Sequence, residues 1–103
     1  AGSVVLEYDE DQEGERAHIE LTCDGARAQM LRKGMTSARL VFEQGRRTSS
    51  AYVTIYGEIP VAVDTRRVLV ERSADSGRLT LDYDVYMGGE RTSRAVMEIT
   101  WRA

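Results

Sequence analysis

Residues 78–102 read RLTLDYDVYM (78–87), GGE (88–90) and RTSRAVMEITWR (91–102). Leu79, Leu81, Tyr83 and Val85 alternate with Arg78, Thr80, Asp82, Asp84 and Tyr86. Beyond the Met87-Gly88-Gly89-Glu90 break, Ala95, Met97, Ile99 and Trp101 alternate with Arg94, Val96, Glu98, Thr100 and Arg102. A period of two on both sides of a glycine-rich break predicts a β-hairpin with one apolar and one wet face. The apolar phase must be the inner one, because the opposite register would bury Asp82, Asp84 and Glu98 as unpaired charges, at several kcal/mol each.

The same grammar extends upstream. Val4–Tyr8 is a short strand, and Arg16–Cys23 carries Ala17, Ile19, Leu21 and Cys23 on one face. Asp24-Gly25 is a strong hairpin-turn dipeptide. Ala26–Arg32 follows, with Ala26, Ala28 and Met30 in phase, although Ala28, Met30, Leu31 and Arg32 also suit a helix over Ala26–Met35. Lys33-Gly34 turns the chain into Thr36–Glu43, whose apolar face is Ala38, Leu40 and Phe42.

Ser49–Tyr56 has no polar face: Ala51, Val53 and Ile55 alternate with Tyr52, Thr54 and Tyr56. Such a strand is expected to be covered on both sides, by a loop or a partner subunit. Ile59–Val63 reads as another strand, with Pro60 at an edge or bulge because it lacks an N–H for the ladder. Val68–Arg72 is short, and Ala74-Asp75-Ser76-Gly77 returns it to the last hairpin. Eight or nine short strands joined by short turns must pair with their sequence neighbours. Strands that numerous in a chain this size predict an all-β, antiparallel up-and-down barrel in which closure removes exposed edges.

The chain, 103 residues long, is one domain spanning 1–103. At 42% hydrophobic and 30% charged it has a globular composition. A formal net charge of −3 argues against nucleic acid as a partner. The local pairs Arg46-Arg47 and Arg66-Arg67 read as solvated charges at strand ends or turns, and the acidic run Asp9–Gly14 as a hairpin tip. No apolar run approaches the ~20 residues of a membrane span, and no signal-peptide pattern opens the chain.

A single cysteine forms no internal disulfide, which fits a reducing cytoplasm. Cys23 shares its phase with Ile19 and Leu21 and is expected to be a buried, inert thiol. The only histidine, His18, lies on the opposite phase of that strand, which disfavours a Cys-His dyad. There is no phosphate-binding glycine loop, Gly-x-Ser-x-Gly elbow or Cys-x-x-Cys, and one histidine builds no histidine-rich metal site. Asp82 and Asp84 share a face, yet a solvated strand face explains them more simply than a carboxylate pair of glycosidase type. No catalytic residue, cofactor or metal is therefore assigned. Tyr52, Tyr56, Tyr83 and Trp101 are the candidate ligand-lining residues, against the plainer role of core and cross-strand packing.

Several weak motifs occur in a recognisable order: Thr54-Ile55-Tyr56-Gly57-Glu58-Ile59-Pro60-Val61, Val63-Asp64-Thr65, Gly77-Arg78-Leu79, Tyr83-Asp84 and the closing strand to Trp101. Upstream, Val5-Leu6-Glu7-Tyr8 and Met30-Leu31-Arg32-Lys33-Gly34 fit the same order. Together they resemble the YwiB-like family of uncharacterised bacterial proteins. The resemblance implies a calycin-like, lipocalin-like barrel around a central cavity, and no activity that transfers to a residue. It also implies roughly one further N-terminal hairpin than this chain carries, so the barrel here is expected to lack strands, to be disordered there or to be completed by a second chain. The expectation that follows is a non-enzymatic cytoplasmic barrel that binds a small apolar or amphipathic molecule and pairs as a homodimer through Tyr52, Val53 or Tyr56. The rival is a structural or interaction module whose interior is filled by its own side chains.

Overall fold

The computed structural model describes residues 3–12 and 14–102, Gln12 through its backbone only. Glu13 of the acidic run lies outside the described residues, as do Ala1, Gly2 and Ala103. The strands are β1 (Val4–Gln12), β2 (Glu15–Asp24), β3 (Arg27–Lys33), β4 (Ser37–Glu43), β5 (Arg46–Thr54), β6 (Gly57–Arg72), β7 (Ser76–Met87) and β8 (Glu90–Arg102). They form one antiparallel sheet of eight strands in the order β1-β2-β3-β4-β5-β6-β7-β8. Consecutive strands pair because each connection is a tight turn; Gly25, Gly88 and Gly89 supply the left-handed backbone that two of these turns require. The stretch open to helix is strand β3, where Ala28 and Met30 are drawn into the core by pairing with Phe42 and Leu40.

The sheet curls into an open half-barrel. Its inner face carries Ile19, Leu21, Cys23, Phe42, Val63, Leu79 and Leu81, all almost fully buried. The curl is visible in one contact: the Phe42 ring of β4 lies 4.7 Å, centroid to centroid, from the Tyr83 ring of β7. β4 and β5 pair only from Ser37 to Arg39 and then diverge. Beyond that point side chains replace the ladder: the Val41 N–H donates to Ser50 Oγ at 2.9 Å, and the Thr48 hydroxyl donates to the Val41 carbonyl. These bonds satisfy backbone groups that would otherwise be stranded between the strands. The last hairpin has the register expected of it, with Leu79 opposite Ile99, Leu81 opposite Met97 and Tyr83 opposite Ala95.

Several expectations need correction. Ile59–Val63 and Val68–Arg72 are not two strands but one strand of 16 residues. A β-bulge between Thr65 and Arg67 resets the phase, so that Val61, Val63 and Thr65 face inward before it and Val68 after it. Arg66-Arg67 therefore lies in mid-strand, not at a turn. Pro60 pairs with Ala51 of β5, where β6 has not yet met β7, so it is tolerated on a locally free edge as expected. Asp9 and Asp11 belong to β1 rather than to a hairpin tip.

β5 is covered on one face only. Register with Ala38 and Ile59 turns Tyr52 inward, while Val53 stays exposed. Ile55 and Tyr56 leave the strand for the turn. Asp84 points outward as expected but is not solvated: it is only 6% exposed, because Arg66 lies over it and donates to it at 2.7 Å. Thr65 Oγ1 is buried without a hydrogen-bond partner among the described residues. No helix of the described residues is long and apolar enough to cross a membrane.

Candidate functional site

β1 and β8 stand at the two ends of the strand order and do not pair with each other. A cavity of about 570 Å³ lies between them, lined by Leu6, Tyr8, Met97, Ile99 and Trp101, with Glu7, Glu10, Glu98 and Thr100 completing its rim. Its volume falls in the range of small-molecule pockets. The apolar lining is the inner phase of the two strands, and Leu6, Tyr8, Met97, Ile99 and Trp101 all pack against the main core. The cleft is thus the open side of the half-barrel interior.

Trp101 is placed by its cross-strand partner. It faces Gly77 of β7, and a methyl group at Gly77 would overlap the indole ring. The missing side chain therefore gives the indole its seat, with the ring also lining the cleft. Tyr83 lies deeper, on the same concave face. Burial pushes its hydroxyl above the ordinary tyrosine range, and the nearby hydroxyls of Tyr52 and Tyr8 push it in the same direction. The Tyr8 hydroxyl is raised by burial and then by the charge of Glu10, with Arg32 opposing. At neutral pH these are neutral hydroxyls, able to donate and accept a hydrogen bond. Arg32 donates to Glu10 at 2.9 Å, a partly buried pair across the inner ends of β3 and β1.

The candidates read from the sequence divide. Tyr52, Tyr83 and Trp101 share the concave face. Tyr56 does not: it is 94% exposed at the β5–β6 turn. Tyr8, Arg32 and Glu10 were not among the candidates. Tyr8 shares the inner phase of Val4 and Leu6, a signal that was readable. Arg32 and Glu10 each follow an apolar inner phase, Ala28-Met30 and Leu6-Tyr8, and resemble ordinary charges at strand ends. His18, on the opposite face, bonds to Asp9 at 2.9 Å and draws the Asp9 carboxyl below the ordinary range. Cys23 is buried, and burial raises its thiol above the ordinary range. Among the described residues no group of three or more His, Cys, Asp or Glu side chains is placed to hold a metal ion.

A solved structure shares this architecture. The ywiB protein from Bacillus subtilis, known from its crystal structure, superposes with a TM-score of 0.83 over 97% of this chain and 68% of that one, at 21% identity. At that identity the likeness establishes the fold. No curated protein matches the chain. A family profile matches residues 1–99, which takes in β1 to β7 and β8 as far as Ile99. The chain belongs to the family described as domain of unknown function DUF1934.

Proposed function

We propose that this chain is a non-catalytic, cytoplasmic binding protein that holds one small apolar or amphipathic molecule in the cleft between β1 and β8. The observation that carries the reading is the cavity of about 570 Å³, whose apolar wall is continuous with the core and whose lining includes Tyr8. Burial of an apolar group against Leu6, Met97, Ile99 and Trp101 supplies the affinity, at roughly 25 cal/mol per Å² removed from water. The Tyr8 hydroxyl and the Arg32–Glu10 pair orient the polar end. The cytoplasmic assignment rests on the single unpaired thiol of Cys23. Untargeted mass spectrometry of molecules co-purifying with the native protein tests the reading. A lipid-like or aromatic species retained by the wild type and lost from Trp101→Ala supports it, and an empty protein under native spray counts against it.

One observation favours a second reading, an interaction module. The β5–β6 tip exposes Val53, Ile55, Tyr56 and Ile59 together, with Ile55 83% exposed. Adjacent exposed apolar side chains of this kind mark protein-contact sites. A second copy is the partner proposed for them. Tyr52 is not part of that tip, since it packs against the core.

A further inference from the structure

We propose that the outer face of β5–β8 is an anion site that takes a small phosphate-bearing molecule. This site lies on the opposite side of the sheet from the cleft and stands independently of it. The register places Arg47, Asp64, Asp84 and Arg94 in one row across the strands. Two aspartates directly opposite each other repel, so the row needs added cations. The bulge supplies one. Arg66, the extra residue, reaches over β7 and donates to Asp82 at 2.6 Å and to Asp84 at 2.7 Å. Arg47 grips Asp64 with two bonds, at 2.9 and 2.8 Å, while its guanidinium lies 4.3 Å from the centre of the Tyr86 ring. Each of the three carboxylates thus accepts from one of two arginines, which leaves one negative charge over.

Three more arginines stand on this face: Arg67 on β6, Arg91 and Arg94 on β8. All are exposed, and among the described residues none has a carboxylate within ion-pair distance. Neutralising the aspartates accounts for one of these charges, since Arg91 and Arg94 favour the ionised Asp84 from a distance, but not for all three. They leave a local positive excess on a chain whose formal net charge is −3. A cavity of about 470 Å³ opens beside this cluster, bordered by Gly45, Arg46, Arg47, Asp64, Thr65, Arg66 and Asp84. A phosphate group presents several acceptor oxygens, which match the planar donor forks of two or more guanidiniums.

The footprint is local. Towards the other end of β7, Arg78 is balanced by Glu71 and Glu98, and on the far edge of the sheet β1 carries Glu7, Asp9 and Asp11. A long polyanion tracking across the sheet would meet those acids. A compact phosphate ester or diphosphate would not.

A titration with inorganic pyrophosphate at low ionic strength, followed by amide NMR shifts, tests this. Saturable shifts are expected around Arg67, Arg91 and Arg94, with none at Trp101. The double variant Arg91→Ala/Arg94→Ala removes cations with no direct carboxylate partner and should fold as the wild type does. It should bind pyrophosphate at least about tenfold more weakly, the loss expected for a charge-assisted contact. The control Arg78→Ala should bind like the wild type. Absence of saturable shifts at millimolar pyrophosphate, or the same response to sodium chloride at matched ionic strength, overturns the proposal. So does unchanged affinity in the double variant. Binding of an acidic peptide that pyrophosphate fails to displace would overturn it in favour of a protein partner.

Discussion

Truncating Leu81 to Ala tests the inner register of the last hairpin. Leu81 is 0% exposed and sits between Val68 of β6 and Met97 of β8, with Leu79 and Tyr83 beside it on the same strand. The change removes three carbons, worth about 2.4 kcal/mol at ~0.8 kcal/mol for each buried CH₂. The cavity left behind adds to that, because neighbours fixed by two ladders relax little, and leucine truncations in such sites cost about 2.7–5 kcal/mol. A loss near 3–4 kcal/mol is therefore expected, a large share of the ~5–15 kcal/mol that holds a domain of this size. At roughly 4–8 °C for each kcal/mol it lowers the melting temperature by at least about 12 °C. Thr80, the next residue, faces the outer side between Leu69 and Glu98, and Thr80→Ala should stay within about 0.5 kcal/mol. Urea titrations followed by the single tryptophan measure both variants. Coincident midpoints for Leu81→Ala and the wild type would refute the assigned register.

Stability should fall at acid pH through the outer-face aspartates. The bond from Arg47 holds the Asp64 carboxyl below the ordinary range, and the bond from Arg66 does the same for Asp84. A carboxylate whose folded pKa is depressed contributes in full above its unfolded value, near 4, and its contribution is lost as pH falls through the lower folded value. Denaturation midpoints measured from pH 6 down to about pH 2 should therefore decline more steeply for the wild type than for Asp64→Asn/Asp84→Asn; parallel curves contradict this. Cys23, buried and with its thiol raised by burial, should react with a thiol reagent at neutral pH only as fast as the protein opens. Rapid labelling of the folded chain contradicts that. The exposed β5–β6 tip should produce a concentration-dependent dimer in light scattering, and Tyr56→Ser/Val53→Lys should return it to monomer. A monomer mass that does not change with concentration refutes the pairing.

The architecture was legible wherever one face of a strand is dry. The alternation of Leu79, Leu81 and Tyr83 against Asp82 and Asp84 admits one inner phase, and the same is true of Ile19, Leu21 and Cys23 against His18 and Glu20. Legibility failed where parity changes within a strand. The bulge at Arg66 moves the inward set from odd to even positions, so one long strand resembles two short ones. It also failed for Asp84, because its burial depends on a guanidinium supplied by a residue 18 positions away. β5 misleads for a related reason. Its inner residues are Thr48, Ser50 and Tyr52, two of them hydroxyls occupied in bridging the split between β4 and β5. The apolar Val53 and Ile55 are the ones left outside.

The candidate site was half legible. Tyr52, Tyr83 and Trp101 follow from phase alone, because side chains on one phase of a curled sheet share its concave face. Tyr56 was misplaced because the strand ends at Thr54, where the Thr54 hydroxyl donates to the Gly57 carbonyl and accepts from the Tyr56 N–H to close the turn. The cleft itself is a property of where β1 and β8 stop relative to each other, and no local pattern encodes that. The arginine cluster is of the same kind, since Arg47, Arg66, Arg91 and Arg94 come from strands that only the register brings together.

The central claim is that the cleft between β1 and β8 receives a small apolar or amphipathic molecule. The lone tryptophan reports on it directly, because Trp101 lines that cleft. The most direct measurement is a Trp101 fluorescence titration with 1-anilinonaphthalene-8-sulfonate and with a medium-chain fatty acid, on the wild type and on Met97→Glu. A saturable one-to-one change in the wild type, abolished by placing a charge on the cleft wall, is the predicted result. A spectrum indifferent to both ligands, or binding that Met97→Glu leaves untouched, contradicts the assignment of the cleft as the binding site.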